Sequence, residues 1–447
     1  MFKRVLIANR AEVGARVART ARGMGVQTVA VVSEADRELS WLDGVDEVVQ
    51  IGGPRPAESY LDQSAILEVA RHTACSAVHP GWGFLSENAV FAERCAAAGI
   101  SFIGPSPAHL RLMGDKVSAR RALAALGVPV APGSLEPVRD AREAREVGSR
   151  VGYPILLKAV AGGGGRGMRL VNDPGELDSV FGIASAEAAS SFGDGRIYLE
   201  RRLSRARHVE VQVVGDRYGG VVHLGERECS IQRRYQKVVE EGPSPALDAP
   251  AREALLRAAT AVVRRLGYRG AGTLEFLVDE DGNAWFMEMN PRLQVEHGVS
   301  ELLTGVDLVA WQLQVAANGA LPLAQHQIER RGHAIEVRLN AEDPTMEFRP
   351  SPGKIVGLDL PVGEGIRVDT HLSRGDRVPP YYDSLVAKIL THGADRAQAL
   401  RRMEGALAQV RVDGPVTNLG LLRQITQWPE FRTGDYHTGT LESLGVR

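Results

Sequence analysis

The sequence predicts a multidomain protein of mixed α/β and α+β class. We expect an N-terminal doubly wound parallel sheet, a small glycine-loop module and a larger C-terminal α+β domain. Short apolar strands alternate with amphipathic helices over roughly the first hundred residues. Four consecutive glycines then separate two strands, and a hairpin that carries two glutamates follows in the last part of the chain. At 447 residues the chain exceeds the usual single-domain size.

The N-terminal domain, residues 1–113, alternates strands with helices. Strands are predicted at Arg4–Ala8, Thr28–Ser33, Glu47–Ile51, Ala77–His79 and Ser101–Ile103, and helices at Ala11–Met24, Ser59–His72 and Glu87–Ala98. This order is typical of a doubly wound parallel sheet, in which functional loops lie beyond the carboxyl ends of strands. Asn9-Arg10 and the segment His79–Phe84 fall at such positions.

The second module, residues 130–203, follows a linker at residues 114–129 that contains a helix at Asp115–Leu126. Its glycine loop lies between the strands Tyr153–Lys158 and Met168–Val171. A P-loop or a dinucleotide fingerprint needs a following helix instead, so the loop is neither. Its backbone N–H groups are suited to close over polyphosphate oxygens as a lid. A plain surface hairpin is the alternative, although it needs only one or two glycines.

Two lysines and a hinge accompany this module. Lys158 ends a buried strand, where an unpaired ammonium is costly, so we expect an anion such as a phosphate beside it. Lys116, at the start of a helix, is compatible with an anion site and equally with solvation. A helix is predicted at Asp173–Ser190 and a strand at Arg196–Glu200. Glu200–Leu203 then forms a hinge between domains, where an adenine ring would be held.

The C-terminal domain, residues 204–447, contains the glutamate hairpin. Gly272–Val278 and Ala284–Met289 read as strands joined by a turn at Asp281-Gly282. This register places Glu275 opposite Glu288 on one face, where like charges repel. With Asn290 just beyond, the pair is suited to Mg²⁺ that is held largely by substrate phosphates. Two solvated edge-strand carboxylates are the alternative.

Two further segments of the C-terminal domain carry clustered polar residues. His208, Glu210 and Gln212 share one face of a strand, which is either functional or simply wet. Arg292, Gln294 and Glu296 fall at alternate positions and would point one way if the segment were extended. A guanidinium, an amide and a carboxylate side by side can bind a small oxyanion and remove a proton from it. Lys237 with Arg292 would hold such an anion.

Composition excludes several classes of protein. The apolar share of 44% and charged share of 24% are ordinary for a soluble globular protein. A net charge of −2 gives no global attraction to nucleic acid or to an anionic membrane. Three cysteines without metal-ligand spacing argue against a disulfide framework and favour a reducing cytoplasm. We find neither a secretory signal nor an apolar run of about 20 residues.

Taken together, these motifs resemble the biotin carboxylases of the ATP-grasp superfamily, which carboxylate biotin in acyl-CoA and pyruvate carboxylases. The resemblance covers nearly the whole chain. It rests on Ile7–Arg10, His79–Asn88, Met113–Lys116, the glycine loop, Arg233–Glu241, Glu288–His297, Asn340–Pro344 and Pro380–Ser384. It implies an ADP-forming ligase that uses ATP, Mg²⁺ or Mn²⁺ and bicarbonate to carboxylate biotin through carboxyphosphate.

The resemblance also implies a role for each matching position. ATP would be contacted by Lys116, Lys158, Gly164, Gly165, Glu200, Leu203, His208, Gln232 and Tyr235, and the metal by Glu275, Glu288 and Asn290. Bicarbonate would be bound by Lys237, Arg292, Gln294 and Val295. Glu296 would deprotonate bicarbonate, Arg338 would stabilise the biotin enolate, and Trp82 would lie near biotin.

Five positions depart from the usual pattern of this family. The family usually has histidine where this chain has Tyr235, and tyrosine where it has Trp82. The lid usually reads Ser-Gly at Val160-Ala161, and the first loop usually has glycine at Ala11. Ala161 would stiffen the lid, and Tyr235 would reshape nucleotide contacts. All the charged catalytic positions are retained, so we predict an active enzyme.

Partners follow from what the sequence lacks. No lysine flanked by methionines is present to carry biotin, so we expect a separate biotin carboxyl carrier protein and a carboxyltransferase subunit. The resemblance also suggests a homodimer. Two other functions stay open at this point. One is a different ATP-grasp ligase, which joins a carboxylate to an amine, and the other is a catalytically weak scaffold within a carboxylase complex.

Overall fold

The N-terminal sheet forms because its strands are continuous apolar runs. The computed structural model describes residues 1–162 and 167–446, so Gly164 and Gly165 of the glycine loop lie outside the described residues. The strands are β1 Arg4–Ile7, β2 Gln27–Ser33, β3 Glu47–Gly52, β4 Ala77–His79 and β5 Ser101–Phe102. All pairings are parallel, in the order β3-β2-β1-β4-β5, which confirms the predicted doubly wound sheet.

Helices cover this sheet and lead out of it. They are α1 Ala11–Gly23, α2 Gln63–His72, α3 Ala89–Ala97, α4 Pro107–Gly114 and α5 Lys116–Ala125. The predicted linker helix is α5, and the Asp115 side chain caps it by accepting from the Ser118 amide at 2.7 Å. The two predicted loops meet beyond β1 and β4, where the Asn9 amide donates to the Trp82 carbonyl at 2.7 Å. This junction is the switch point at which doubly wound sheets bind ligands.

The first residue of α1 has an unusual backbone conformation. Ala11 has φ +56° and is buried, so it lies in the left-handed region that favours glycine. We expect Ala11→Gly to raise the free energy of unfolding by about 1 kcal/mol, because it removes the clash of the Cβ atom. Ala18→Gly, inside the same helix, should lower it by about as much. Denaturant unfolding measures the free energy of unfolding of both variants. A loss of stability in Ala11→Gly as well as in Ala18→Gly would contradict the expectation.

The second module is a three-stranded antiparallel sheet with two helices. Its elements are α6 Ala141–Val151, β6 Ile155–Ala159, β7 Met168–Val171, α7 Leu177–Phe192 and β8 Ile197–Arg201. The strand order is β7-β6-β8, so the glycine loop joins two paired strands, as predicted. The helix α7 starts four residues later than predicted, because Asp173 to Glu176 form a bend and turns.

The third part of the chain forms a large antiparallel sheet. Its elements, in order, are β9 Arg207–Gly215, β10 Val221–Arg233, β11 Gln236–Gly242, α8 Ala249–Arg265, β12 Gly270–Val278, β13 Ala284–Asn290, α9 His297–Thr304, α10 Leu308–Ala316, β14 His333–Asn340, β15 Glu342–Asp343, β16 Arg349–Pro350, β17 Gly353–Lys354, β18 Gly357–Asp359, β19 Ile366–Thr370, β20 Arg377–Val378, β21 Leu385–Gly393, α11 Arg396–Gln409, β22 Arg411–Asp413, α12 Leu419–Ile425, α13 Pro429–Thr433 and α14 Thr440–Ser443. Eight strands pair in the order β13-β12-β9-β10-β11-β14-β21-β19.

The glutamate hairpin has the predicted register with one irregularity. Gly282, at φ +82°, allows the turn, and Glu275 pairs with Glu288 across β12 and β13. A β-bulge directly after Glu275 then shifts the pairing so that Phe276 faces Phe286. Bulges re-aim side chains beside functional sites, and this one lies next to the predicted metal-binding glutamate.

No helix in the two described ranges is both long enough and apolar enough to cross a membrane.

Candidate active site

Three glutamates lie in a row across the large sheet. Glu210 on β9 pairs with Glu275 on β12, which pairs in turn with Glu288 on β13. Glu210 and Glu275 are buried. Like charges at paired positions repel, so this row requires nearby cations. The residues that supply them define the candidate site.

Lys237 is the central cation of the site. Its Nζ lies 2.6 Å from Glu210 Oε2, 3.1 Å from Glu275 Oε1 and 2.5 Å from Glu296 Oε1. Burial alone would lower the pKa of Lys237, but these three carboxylates raise it well above its usual value. The ammonium therefore stays charged and joins the glutamate row to the predicted proton acceptor.

Glu296 is fully buried between two cations. Besides Lys237, the Arg338 Nη2 atom donates to its Oε2 at 3.1 Å. Burial would raise the pKa of Glu296, yet Lys237 and Arg338 hold it well below its ordinary value. The carboxylate is therefore ionised at neutral pH and can accept a proton.

The segment before Glu296 is not extended but is a turn-rich connection from β13 to α9. The condition under which its alternate side chains would point one way is therefore not met. The side chains converge by hydrogen bonding instead. Arg292 Nη1 donates to Gln294 Oε1 at 3.1 Å, and Gln294 Nε2 donates to Glu275 Oε1 at 2.9 Å. Together with Lys237 they form a cationic and amide-lined corner that can take a small oxyanion.

Oxygen donors for a divalent metal lie next to this corner. Asn290 Nδ2 donates to Glu275 Oε1 at 2.8 Å, and Lys116 Nζ lies 2.5 Å from Glu288 Oε2. Burial alone would lower the pKa of Lys116, but the carboxylates of Glu288, Glu200 and Glu275 outweigh burial and raise it. Carboxylate and amide oxygens suit Mg²⁺ or Mn²⁺. The glutamate row therefore fits a divalent cation in both donor type and charge.

The face of β9 that carries His208, Glu210 and Gln212 is buried, not wet. His208 Nε2 lies 3.0 Å from Glu275 Oε2. The fully buried Arg227 on β10 donates to Glu210 at 2.6 Å and to Gln212 at 2.9 Å. The contact of Arg227 with Glu210 was not predicted from the sequence. The signal for Arg227 is the dense polar segment Arg227–Glu241, and the signal for Glu210 is its place on one strand face with His208 and Gln212.

Donor atoms of two groups of residues lie within 4.8 Å of one another: His208, Glu210 and Glu275, and separately Glu210, Cys229 and Glu296. Both groups belong to the same cluster around Lys237. All three cysteines are free and buried.

The predicted nucleotide residues are spread over α5, the second module, the hinge and the large sheet. Lys158 does have an anion beside it, but in this structure the anion is the carboxylate of Glu200, which Arg120 also contacts. Leu203 lies in the connection between β8 and β9, and Gln232 is buried near the end of β10. Tyr235 is 56% exposed at the turn between β10 and β11, with φ +66°.

Trp82 lines a cavity of about 230 Å³ at the switch point of the N-terminal sheet. Its wall also includes the aromatic residues Phe84, Tyr381 and Tyr382, together with the polar residues Asn9, Arg10, Glu12 and Asp383. Lys388 Nζ lies 5.5 Å from the Trp82 ring centroid and donates to the Val295 carbonyl at 2.8 Å. The buried Lys388 therefore lies between this cavity and the segment that carries Glu296.

Comparison with known proteins covers almost the whole chain. Residues 1–110 match the N-terminal domain of biotin carboxylase, residues 115–324 the ATP-binding domain of the carbamoyl-phosphate synthase L chain, and residues 336–443 the C-terminal domain of biotin carboxylase. A biotin carboxylase of Nostoc sp. is 48% identical over 443 residues, with 99% of each chain covered.

Two solved structures have the same fold. A Campylobacter jejuni biotin carboxylase, in complex with β,γ-ATP, superposes with a TM-score of 0.97 at 43% identity, covering 99% of both chains. The biotin carboxylase domain dimer of Hydrogenobacter thermophilus 2-oxoglutarate carboxylase, with MgADP, ADP and bicarbonate, also has a TM-score of 0.97 at 43% identity, covering 100% of this chain and 98% of that one. With the matches to the domain families, these similarities show that the chain belongs to the biotin carboxylase family.

Proposed function

We propose that this chain carboxylates biotin with ATP and bicarbonate, and that the cluster around Lys237 and Glu296 is where bicarbonate is activated. The observation that carries the proposal is the joint contact of Lys237 with Glu296 and with the glutamate row. It supports a site in which an ionised proton acceptor, an oxyanion corner and a divalent cation site lie side by side. Phosphoryl transfer to bicarbonate needs all three.

In the first step, Arg292, Gln294, Lys237 and the backbone of Val295 hold bicarbonate while Glu296 takes its proton. The freed oxygen forms a bond to the γ-phosphorus of ATP, and the bond to ADP breaks. Glu275, Glu288 and Asn290 would hold Mg²⁺ or Mn²⁺, which offsets phosphate charge when bound. The product is carboxyphosphate, which is unstable in water, so exclusion of water by the second module protects it.

In the second step, carboxyphosphate breaks down to CO₂ and phosphate. The phosphate removes the ureido proton of biotin, and the nitrogen forms a bond to CO₂. Arg338 lies 3.1 Å from Glu296 and would stabilise the negative charge that develops on the ureido oxygen. The cavity lined by Trp82 would take the fused rings of biotin, since its wall combines four aromatic residues with polar ones and lies close to this segment.

ATP would be bound between the second module and the large sheet. We propose Lys116, Lys158, Glu200, Leu203, His208, Gln232 and Tyr235 as its contacts within the described ranges, and Gly164 and Gly165 in the lid. Lys158 would exchange part of its contact with Glu200 for phosphate oxygens. The domain boundaries at residues 113, 129 and 203 stay a prediction.

We propose a separate biotin carboxyl carrier protein and a carboxyltransferase subunit, for example of an acyl-CoA carboxylase, as partners in a reducing compartment such as the cytoplasm. Buried free cysteines are compatible with that compartment. A homodimer is supported by the Hydrogenobacter thermophilus domain, which is described as a dimer.

Bicarbonate-dependent ATP hydrolysis, measured with and without free biotin, tests this function. We expect hydrolysis that requires bicarbonate and is stimulated by biotin. A ligase that joins a carboxylate to an amine would require another acceptor, and a scaffold would show no turnover. Either of these results would overturn the proposal.

A further inference from the structure

Two glutamates outside the proposed reaction face each other in the middle of the large sheet. Glu240 on β11 and Glu336 on β14 occupy paired positions of antiparallel strands, and both are fully buried. Arg338 Nε donates to Glu240 Oε1 at 2.7 Å. The other Glu240 oxygen and both Glu336 oxygens have no hydrogen-bond partner within the described ranges.

Two full negative charges in this arrangement would have a high free energy. Carboxylates at paired strand positions repel, and a buried carboxylate without hydrogen bonds takes up a proton in preference to remaining ionised. Glu336 is the more isolated of the two, because Arg338 already contacts Glu240. Gly298 of α9 packs over Glu336 so closely that an added Cβ would lie 3.2 Å from Glu336 Oε2. The helix therefore covers this carboxyl group from above.

The surrounding charges agree with a proton on Glu336. Burial raises its pKa well above the usual value; Lys388 on β21 and Arg338 oppose this shift, while Glu240 and Glu296 add to it. Burial, with a contribution from Glu296, also raises the pKa of Glu240, while Arg338 and Lys237 act to lower it. Two further groups lie close to this carboxyl pair. His297 of α9 follows Glu296 directly, and the guanidinium of Arg367 on β19 lies near Gly298. Burial, Lys388, Arg16 and Arg367 hold the pKa of His297 well below its usual value, so it adds no positive charge at neutral pH.

We propose that the pair of Glu240 and Glu336 carries one proton, located on Glu336, and that the single charge left on Glu240 fixes Arg338 for the biotin step. This inference rests on the proposed function for the role of Arg338, but the proton on Glu336 itself does not. Neither glutamate contacts a substrate in the proposed reaction, so both are positioning residues.

The proton limits the negative charge around Arg338. The guanidinium contacts Glu240 and Glu296, and an ionised Glu336 would add a third carboxylate beside them. A neutral Glu336 leaves Arg338 with two anionic neighbours, so its charge is less neutralised and it can still stabilise an oxyanion on biotin. Glutamine at position 336 imitates the neutral acid, whereas glutamine at position 240 removes the charge that orients Arg338.

The test compares two chemically identical substitutions, E240Q and E336Q. We expect E240Q to lower the kcat of the biotin-dependent reaction at least tenfold while bicarbonate-dependent ATP hydrolysis without biotin changes less than twofold. We expect E336Q to keep the biotin-dependent kcat within about twofold at neutral pH, and to abolish a fall in rate that the unsubstituted chain shows at alkaline pH. Equal losses in the two variants, or an unchanged alkaline fall in E336Q, would overturn the proposal.

Two measurements test the proton without any activity. The infrared spectrum should contain the carbonyl band of a protonated carboxyl group at neutral pH, and E336Q should lack it. Because the raised pKa lets the folded chain keep a proton that the unfolded chain has lost, stability falls as pH rises above the ordinary glutamate value. E336Q should therefore gain stability relative to the unsubstituted chain over that range. Absence of the band, or parallel curves of stability against pH for the two proteins, would refute the proton on Glu336 even if the enzyme is active.

Discussion

We expect Glu296→Gln to abolish biotin carboxylation by this chain and to leave nucleotide binding intact. The substitution keeps the shape of the side chain and removes the one ionised carboxylate that Lys237 and Arg338 hold ready at the oxyanion corner. Loss of a general base costs roughly 10²–10⁴-fold in rate. We therefore expect bicarbonate-dependent ATP cleavage to fall by at least about a hundredfold.

Binding of a nucleotide analogue and the rate of ATP cleavage, measured on the same preparation, check this prediction. Glu364→Gln is the matched control, because that glutamate side chain is 93% exposed and pairs only with Arg402 among the described residues. A Glu296→Gln variant that no longer binds nucleotide would contradict the role of proton acceptor and would indicate a structural one.

Lys237→Met is the second change with a large expected effect. It leaves Glu210, Glu275 and Glu296 without the ammonium that contacts all three. Breaking a buried pair by removal of one partner costs about 3–5 kcal/mol. We expect a loss of stability of that order and no detectable bicarbonate-dependent turnover, because the oxyanion corner also loses its central cation.

Thermal unfolding and turnover measure the two effects separately. Lys237→Arg keeps the charge and should recover most of the stability but little of the activity, since a planar guanidinium cannot reproduce three contacts of a compact ammonium. Lys354→Met, on an exposed residue of β17, should change neither quantity measurably. A Lys237→Met protein with an unaltered KM for bicarbonate would rule out the proposed binding role.

Local patterns in the sequence were sufficient to predict the N-terminal sheet and the glutamate hairpin. Apolar runs that alternate with amphipathic helices specify parallel strands, and the Asp281-Gly282 turn specifies a register. That register is confirmed for Glu275 and Glu288, while the bulge after Glu275 was not predicted. A bulge depends on how both strands pack against their neighbours, and the sequence of the hairpin alone does not determine this packing.

Polar faces were harder to interpret. The alternation of His208, Glu210 and Gln212 has the same appearance in a wet strand and in a buried network. The difference is Arg227, which lies on the next strand and donates to Glu210 and Gln212. Likewise, Lys158 was expected to need an anion, but the sequence did not show that Glu200 provides one.

Several contacts between distant parts of the chain could not be predicted from the sequence. Glu240 and Glu336 are almost a hundred positions apart, on β11 and β14, and neither strand sequence indicates which residue its glutamate will face. Arg292, Gln294 and Glu296 converge through a turn and not through an extended segment. Their function was inferred from residue types and from a family resemblance, and the geometry that joins them comes from the fold.

Transfer of labelled oxygen from bicarbonate to phosphate tests the proposed activation of bicarbonate most directly. If a bicarbonate oxygen attacks the γ-phosphorus of ATP within the cluster of Lys237 and Glu296, each inorganic phosphate released should carry one labelled oxygen. Glu296→Gln should remove this labelled product. Phosphate that is released at the full rate without label would show that water, and not bicarbonate, attacks ATP, and the proposed chemistry of the site would be wrong.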